Sequence, residues 1–163
     1  MQTVTLFKFN KTSNIKNWKT INDGVMGGVS TGIFYLNEEG HGVYKGHISL
    51  QNNGGFSSLK YSFNTLNTEQ HSKIILKVKG DGKTYQFRIK HKSSDRHSYI
   101  AYFNTSNKWQ TICFNLSEMH PKFRGRKVNI PNYNKTNIEE IAFLIGNKKN
   151  ETFKLLIDSI ILI

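Results

Sequence analysis

Lys73-Ile-Ile-Leu-Lys-Val-Lys79-Gly-Asp-Gly-Lys83-Thr-Tyr-Gln-Phe-Arg-Ile-Lys-His91 is the stretch that decides the fold class. In its second half Tyr85, Phe87 and Ile89 point one way and Gln86, Arg88 and Lys90 the other, which is the two-residue period of a half-buried strand. Its first half, residues 73–79, reads as another strand. The Asp81-Gly82 pair between them readily takes positive φ and predicts a tight hairpin. Outward from this centre the same short period recurs at residues 3–9, 30–36, 42–50, 55–63, 98–103, 109–116, 140–146 and 152–161, each bounded by Gly, Asn, Asp or Ser. No long helical period is sustained, so the chain reads as all-β, and ten short strands imply a sandwich. The last run, residues 152–161, is apolar on both faces and predicts a central buried strand. Short helical turns are expected at Ser117-Glu-Met and from Asn137.

The chain has 163 residues, 37% hydrophobic and 12% aromatic, enough to bury a core without a disulfide or metal. No repeat, linker or composition break divides it, and residues 1–163 read as one domain. A single cysteine excludes an intrachain disulfide, and one thiol makes no Cys/His zinc site. No apolar run approaches a membrane span, and the first residues lack the features of a signal peptide or presequence. A cytoplasmic location is the expectation. Lys+Arg 23 against Asp+Glu 11 gives a net charge of +12, which favours acidic partners. Nineteen of these cations are Lys, however, and specific phosphate or base reading leans on Arg. Solubilising charge is therefore the reading adopted.

Catalytic chemistry finds little footing. Carboxylates are scattered, with Glu38-Glu39 and Glu139-Glu140 the adjacent pairs, and neighbours on a strand face opposite sides. Cys113 lies in the apolar run Ile112-Cys113-Phe114, where a thiol is expected to be inert filler. His41 and His47, like His91 and His97, are six apart, which is no tight ligand spacing. Aromatic and basic residues interleave from Tyr85 to Tyr102, yet Tyr85 and Phe87 belong to the core face, so a stacking platform for nucleic acid is not predicted.

Two glycine-rich segments stand out. Trp18-Lys-Thr-Ile-Asn-Asp-Gly-Val-Met-Gly-Gly-Val-Ser30 lacks the Gly-Lys-Ser/Thr of a phosphate loop and reads as a bent turn, with Asp23 capping it and Met26 filling the core. Gln51-Asn-Asn-Gly-Gly-Phe-Ser-Ser58 reads as a hairpin with Gly54 or Gly55 at positive φ. Its Asn52, Asn53, Ser57 and Ser58 beside Phe56 are also residue types a sugar or peptide site uses.

Trp18, the motif Asn22-Asp-Gly-Val-Met-Gly-Gly-Val-Ser30, Gly46-His-Ile-Ser-Leu50, Asn53-Gly-Gly-Phe-Ser-Ser58 and Lys79-Gly-Asp-Gly-Lys-Thr-Tyr85 occur in order, followed by Trp109, Phe123-Arg-Gly125 and two closing apolar segments. Together they resemble the complex I intermediate-associated protein 30 family over essentially the whole chain. The resemblance implies a jelly-roll β-sandwich of the galactose-binding-domain kind. It also implies a non-enzymatic, chaperone-like assembly factor for the respiratory NADH:ubiquinone oxidoreductase, working by protein binding and without a cofactor. The alternative on the same fold is a carbohydrate-binding module recognising a glycan. No calcium cage or other metal site can be nominated.

Carried onto this chain, the family motif implies one patch of Asp23, Met26, Gly27, Gly28 and Ser30 with Asn53, Gly54, Gly55 and Phe56. Trp18 or Phe56 would be its aromatic anchor and Arg88 and Arg124 its charged rim. The patch requires the two turns to lie within about 15 Å. The same motifs are equally readable as residues that build the fold.

Overall fold

The computed structural model describes residues 3–163, with the side chains of Val25 and Met26 outside that description. Thirteen strands form it: β1 (Val4–Lys8), β2 (Trp18–Asn22), β3 (Thr31–Leu36), β4 (Gly42–Ile48), β5 (Ser57–Asn67), β6 (Lys73–Lys79), β7 (Thr84–Lys90), β8 (Ser98–Asn104), β9 (Trp109–Asn115), β10 (His120–Phe123), β11 (Arg126–Lys127), β12 (Asn137–Ile145) and β13 (Glu151–Leu162). They make two antiparallel sheets. The first has the order β3-β4-β13-β6-β9 with β1 also paired to β13, and the second the order β11-β10-β8-β7-β12-β5-β2. This is the all-β sandwich that the two-residue periodicity implies.

The core lies between the inner faces. Tyr85, Phe87 and Ile89 all enter it, at 1% exposure or less. β13 sits in the middle of its sheet, paired with β4, β6 and β1, and contributes buried Phe153, Leu155, Ile157, Ile160 and Leu162. Each such side chain contributes about 1.5–3 kcal/mol when fully buried. Where β2 and β3 leave the sheets open, Trp18 stacks on Tyr61 with ring centroids 4.7 Å apart and packs against Phe7, Phe9 and Phe34. An aromatic cluster thus closes that side.

Two expected hairpins are something else. β6 belongs to the first sheet and β7 to the second, so Gly80-Asp-Gly-Lys83 carries the chain across the sandwich. Gly82 does have positive φ, at 86°. The turn chemistry is therefore visible in the sequence, but which sheet the next strand joins is a long-range matter. Residues 49–56 likewise cross from β4 to β5, and residues 23–30, 105–108 and 146–150 make three further crossings at the same end. The helical turn expected from Asn137 is β12 instead, because Ile138, Ile141, Phe143 and Ile145 are needed in the core. A 3-10 turn at Leu116–Glu118 matches the other expected turn, while β2, β10 and β11 add strands to those expected.

Candidate functional site

The two glycine-rich segments are joined by one carboxylate. Asp23 opens a 3-10 turn, Asp23–Met26, that Gly27 ends at φ 87°. Its side chain is fully buried and points between its own loop and the second glycine-rich segment. Oδ1 accepts the Ser30 backbone N–H at 2.9 Å; Oδ2 accepts the Ser30 hydroxyl at 2.5 Å, the Gly55 N–H at 2.6 Å and the Phe56 N–H at 3.3 Å. The Ser49 N–H donates to Ser30 Oγ, which fastens the end of β4 to the same network. Gly28 and Gly54 are the residues on which this closeness depends, since a Cβ at either would overlap the Asp23 carboxylate. Burial pushes the Asp23 carboxyl up, but hydrogen bonds from the Ser30 hydroxyl and from the Gly55, Ser30 and Phe56 amides outweigh it and hold the group below its ordinary value.

The turns therefore do lie side by side, and Asp23 is their internal clamp rather than a ligand group. Gly55 takes φ 131° and Asn53 φ 61°; Asn53 is exposed and Phe56 half-buried. The Met26 side chain lies outside the described residues. Trp18 is 5% exposed and offers no ring face to a partner, because the sandwich uses it to close the β2/β3 gap. Arg124 is not brought to this patch: it sits in the β10–β11 turn at the opposite end of the sandwich, over the Phe123 ring at 5.3 Å. Cys113 is exposed on β9, since Ile112 and Phe114 are the residues that pack toward the core. The inert-filler reading of that thiol is thereby corrected.

Asp81 is a second clamp. It accepts the Tyr85 hydroxyl at 3.0 Å and the Lys154 backbone N–H at 2.8 Å, tying the β6–β7 crossing to β13. Burial and the Asp81 charge push the Tyr85 phenol upward.

Arg88 belongs to a different surface, the outer face of the second sheet. The registers align Lys19, Lys60, Ala142, Arg88, Ile100 and His120 across six strands. At about 4.8 Å per strand this row is about 24 Å long. Beside it runs Ile21, Ser58, Leu144, Gln86 and Tyr102. Ile100, Ala142 and Leu144 are 1%, 3% and 8% exposed, yet none belongs to the core cluster. Outward apolar residues are hidden to this degree only where taller neighbours close over them, so the face has an apolar floor covered by the longer side chains around it.

Its walls are mainly cationic. Lys19, Lys60, Arg88, Lys90 and Lys122 face Glu140 on the strands, with Asp95 and Glu139 at the margin near the β7–β8 turn. None of these cations is in an ion pair among the described residues. Arg88 donates from Nε and Nη2 to Gln86 Oε1, at 3.0 and 2.8 Å, and Lys90 Nζ donates to the Asp95 carbonyl at 2.7 Å. Burial lowers the Arg88 guanidinium below its ordinary value against a smaller opposing effect of Tyr102. Burial likewise lowers Lys90, and burial together with Lys122 and Lys127 lowers His120. Tyr102 is 48% exposed; Lys122 Nζ donates to its hydroxyl at 2.9 Å and lies 5.2 Å from the ring centroid. The two-residue period puts Arg88 and Lys90 on the side away from the core but gives no sign of the floor beneath them. The signal for the floor is Ile141-Ala-Phe-Leu-Ile145, apolar at positions of both faces. No group of three or more His, Cys, Asp or Glu side chains suited to a metal occurs among the described residues.

Known proteins resemble this chain in two ways. In structure it is similar to the family 11 carbohydrate-binding module of the cellulosomal cellulase Lic26A-Cel5E of Clostridium thermocellum, at 18% identity and TM-score 0.76 over 99% of this chain and 94% of that one. A family 11 module from the same organism, in complex with a β-1,3-1,4-mixed-linked tetrasaccharide, aligns at 18% identity and TM-score 0.71 over 96% and 94%. A mutant form of a family 29 carbohydrate-binding module aligns at 12% identity and TM-score 0.58 over 100% and 92%. At these identities the likeness concerns the jelly-roll fold. No curated protein matches the chain. In sequence, the family described as Complex I intermediate-associated protein 30 matches residues 7–157, and the chain belongs to that family.

Proposed function

We propose that this member of the complex I intermediate-associated protein 30 family is a non-enzymatic binding module of the assembly-factor kind. It holds intermediates of the respiratory NADH:ubiquinone oxidoreductase, works without a cofactor, and does so in the cytoplasm. The outer face of the second sheet is the surface that receives the partner. One observation carries this assignment: Ile100, Ala142 and Leu144 form an apolar floor outside the core, ringed by cations without ion-pair partners among the described residues. Over that floor the exposed Tyr102 ring supplies apolar contact and the charged side chains supply orientation, the usual division in an interface. Family membership supports a protein as the occupant.

Affinity capture from native extract tests it, with wild type beside Tyr102→Ala on this face and Tyr35→Ala on the outer face of the first sheet. Wild type and Tyr35→Ala are expected to retain oxidoreductase subunits, and folded Tyr102→Ala to lose them. Equal retention by all three would remove this face from the reading. A second reading, a glycan on the same face, is favoured by the exposed Tyr102 ring and by the tetrasaccharide complex of a similar module. A glycan array separates the two.

A further inference from the structure

The geometry points to an acidic protein segment, rich in Asp or Glu, as the occupant of the outer face of the second sheet; this rests on the binding role proposed for that face. Three observations converge on it. Lys19, Lys60 and Arg88 fall on one cross-strand row, with Lys90 and Lys122 on the same face, against Glu140 on the same strands. No carboxylate approaches any of them within 4 Å among the described residues, so the charge there is left for something outside the chain. Cations at ordinary protein surfaces are free as well, but this set is gathered on one face and includes a guanidinium, that of Arg88, held partly out of water.

Arg88 is the most informative member. Its guanidinium is partly buried, and the acceptor its Nε and Nη2 find is the neutral Gln86 amide oxygen. A guanidinium held out of water without an anion is costly, and a carboxylate arriving on its free edge recovers that cost through charge-assisted, often bidentate hydrogen bonds. Gln86 meanwhile fixes the plane in which that edge is presented. Lys90, held by the Asp95 carbonyl, stands one row further along.

The same face argues against a neutral sugar. A neutral sugar could use the exposed Tyr102 ring but would leave the Lys and Arg charges of the face unmatched, Lys122 Nζ being held at the phenol hydroxyl. An acidic glycan would share the carboxylate chemistry; membership of the Complex I intermediate-associated protein 30 family favours a polypeptide.

The test is fluorescence anisotropy with a labelled decaglutamate peptide, a decaglutamine peptide of equal length and an oligogalacturonate of equal charge. Wild type is compared with Lys60→Gln/Arg88→Gln and with Lys45→Gln/Lys154→Gln, which removes the same charge from the outer face of the first sheet. Decaglutamate is expected to bind wild type, and the second-sheet pair to weaken it about tenfold or more, while the first-sheet pair changes it by less than about twofold. Should Arg88→Gln lower the melting temperature, Lys60→Gln/Lys122→Gln replaces it as the second-sheet pair. Equal losses from both faces would show only the general field of the protein and overturn the inference. Tighter binding of the oligogalacturonate, or of decaglutamine, would overturn it too. Failure here, with subunit capture still lost in Tyr102→Ala, would refute the acidic occupant and leave the binding role standing.

Discussion

Replacing Asp23 by asparagine keeps the shape of the most enclosed carboxylate in the molecule and exchanges one acceptor oxygen for a donor. Whichever way the amide is placed, its NH2 faces a donor already present: the Ser30 N–H on the Oδ1 side, or the Gly55 and Phe56 amides and the Ser30 hydroxyl on the Oδ2 side. At least one buried N–H loses its acceptor, which costs about 1–3 kcal/mol, and the remaining hydrogen bonds lose their charge assistance. The net expectation is about 2 kcal/mol, or about 4–8 °C in melting temperature for a domain of this size. Asp23→Ala orphans three amides at once and is expected to cost about 3–5 kcal/mol. Thermal unfolding followed by circular dichroism reads both. The pH dependence has a definite sign. Because the folded carboxyl lies below its unfolded value, its contribution is fully present above the unfolded pKa and is lost as pH falls through the folded one. The gap between wild type and Asp23→Asn should therefore be flat from pH 7 to about 5 and narrow below about 4. An Asp23→Ala protein melting within about 2 °C of wild type would refute the clamp.

Gly28→Ala and Gly54→Ala each drive a methyl into the Asp23 carboxylate and are expected to cost about 1–3 kcal/mol, read by the same melting curves. Trp18→Ala should cost about 3–5 kcal/mol, as loss of a buried aromatic does, whereas half-buried Phe56→Ala should cost clearly less; equal effects would contradict the placement of Trp18 in the core. Cys113 is exposed, so a chromogenic thiol reagent should titrate one thiol in native buffer, without denaturant; titration only after unfolding would restore the filler reading.

How far the residues themselves announce this architecture depends on the range of the interaction involved. Thr84–Lys90 is legible because three alternate positions enter the core, and Lys73–Lys79 because its Ile74, Leu76 and Val78 do the same. Trp18–Asn22 escapes recognition as a strand since five residues beside a glycine-rich turn give too short a period. His120–Phe123 carries Pro121, and Arg126–Lys127 is two residues long. The Asp81-Gly82 turn is readable but its destination is not, since local turn chemistry does not encode the pairing of β6 with β9 and β13 rather than with β7. The glycine-rich patch is found through its family motif, and the burial of Asp23 changes its meaning. The outer face is hard to read because Arg88, Lys90 and Lys60 look like any solvated side of a strand. Their interest comes from Ile100, Ala142 and Leu144, which register places among them from two other strands.

Uncommitted hydrogen-bonding capacity separates the two regions. Around Asp23 both oxygens are taken by partners from two segments, and Gly28 and Gly54 leave no room for a ligand to compete. A group so completely satisfied holds chain to chain, and altering it should change stability first and binding only through stability. On the outer face of the second sheet the balance is reversed. The Arg88 guanidinium meets a neutral amide oxygen, Lys90 a backbone carbonyl and Lys122 a phenol, and no carboxylate among the described residues closes on any of them. Those partners orient the cations without neutralising them. Substitutions there should leave the melting curve nearly unchanged and alter the affinity for a charged partner, the opposite signature to that of the glycine-rich turns.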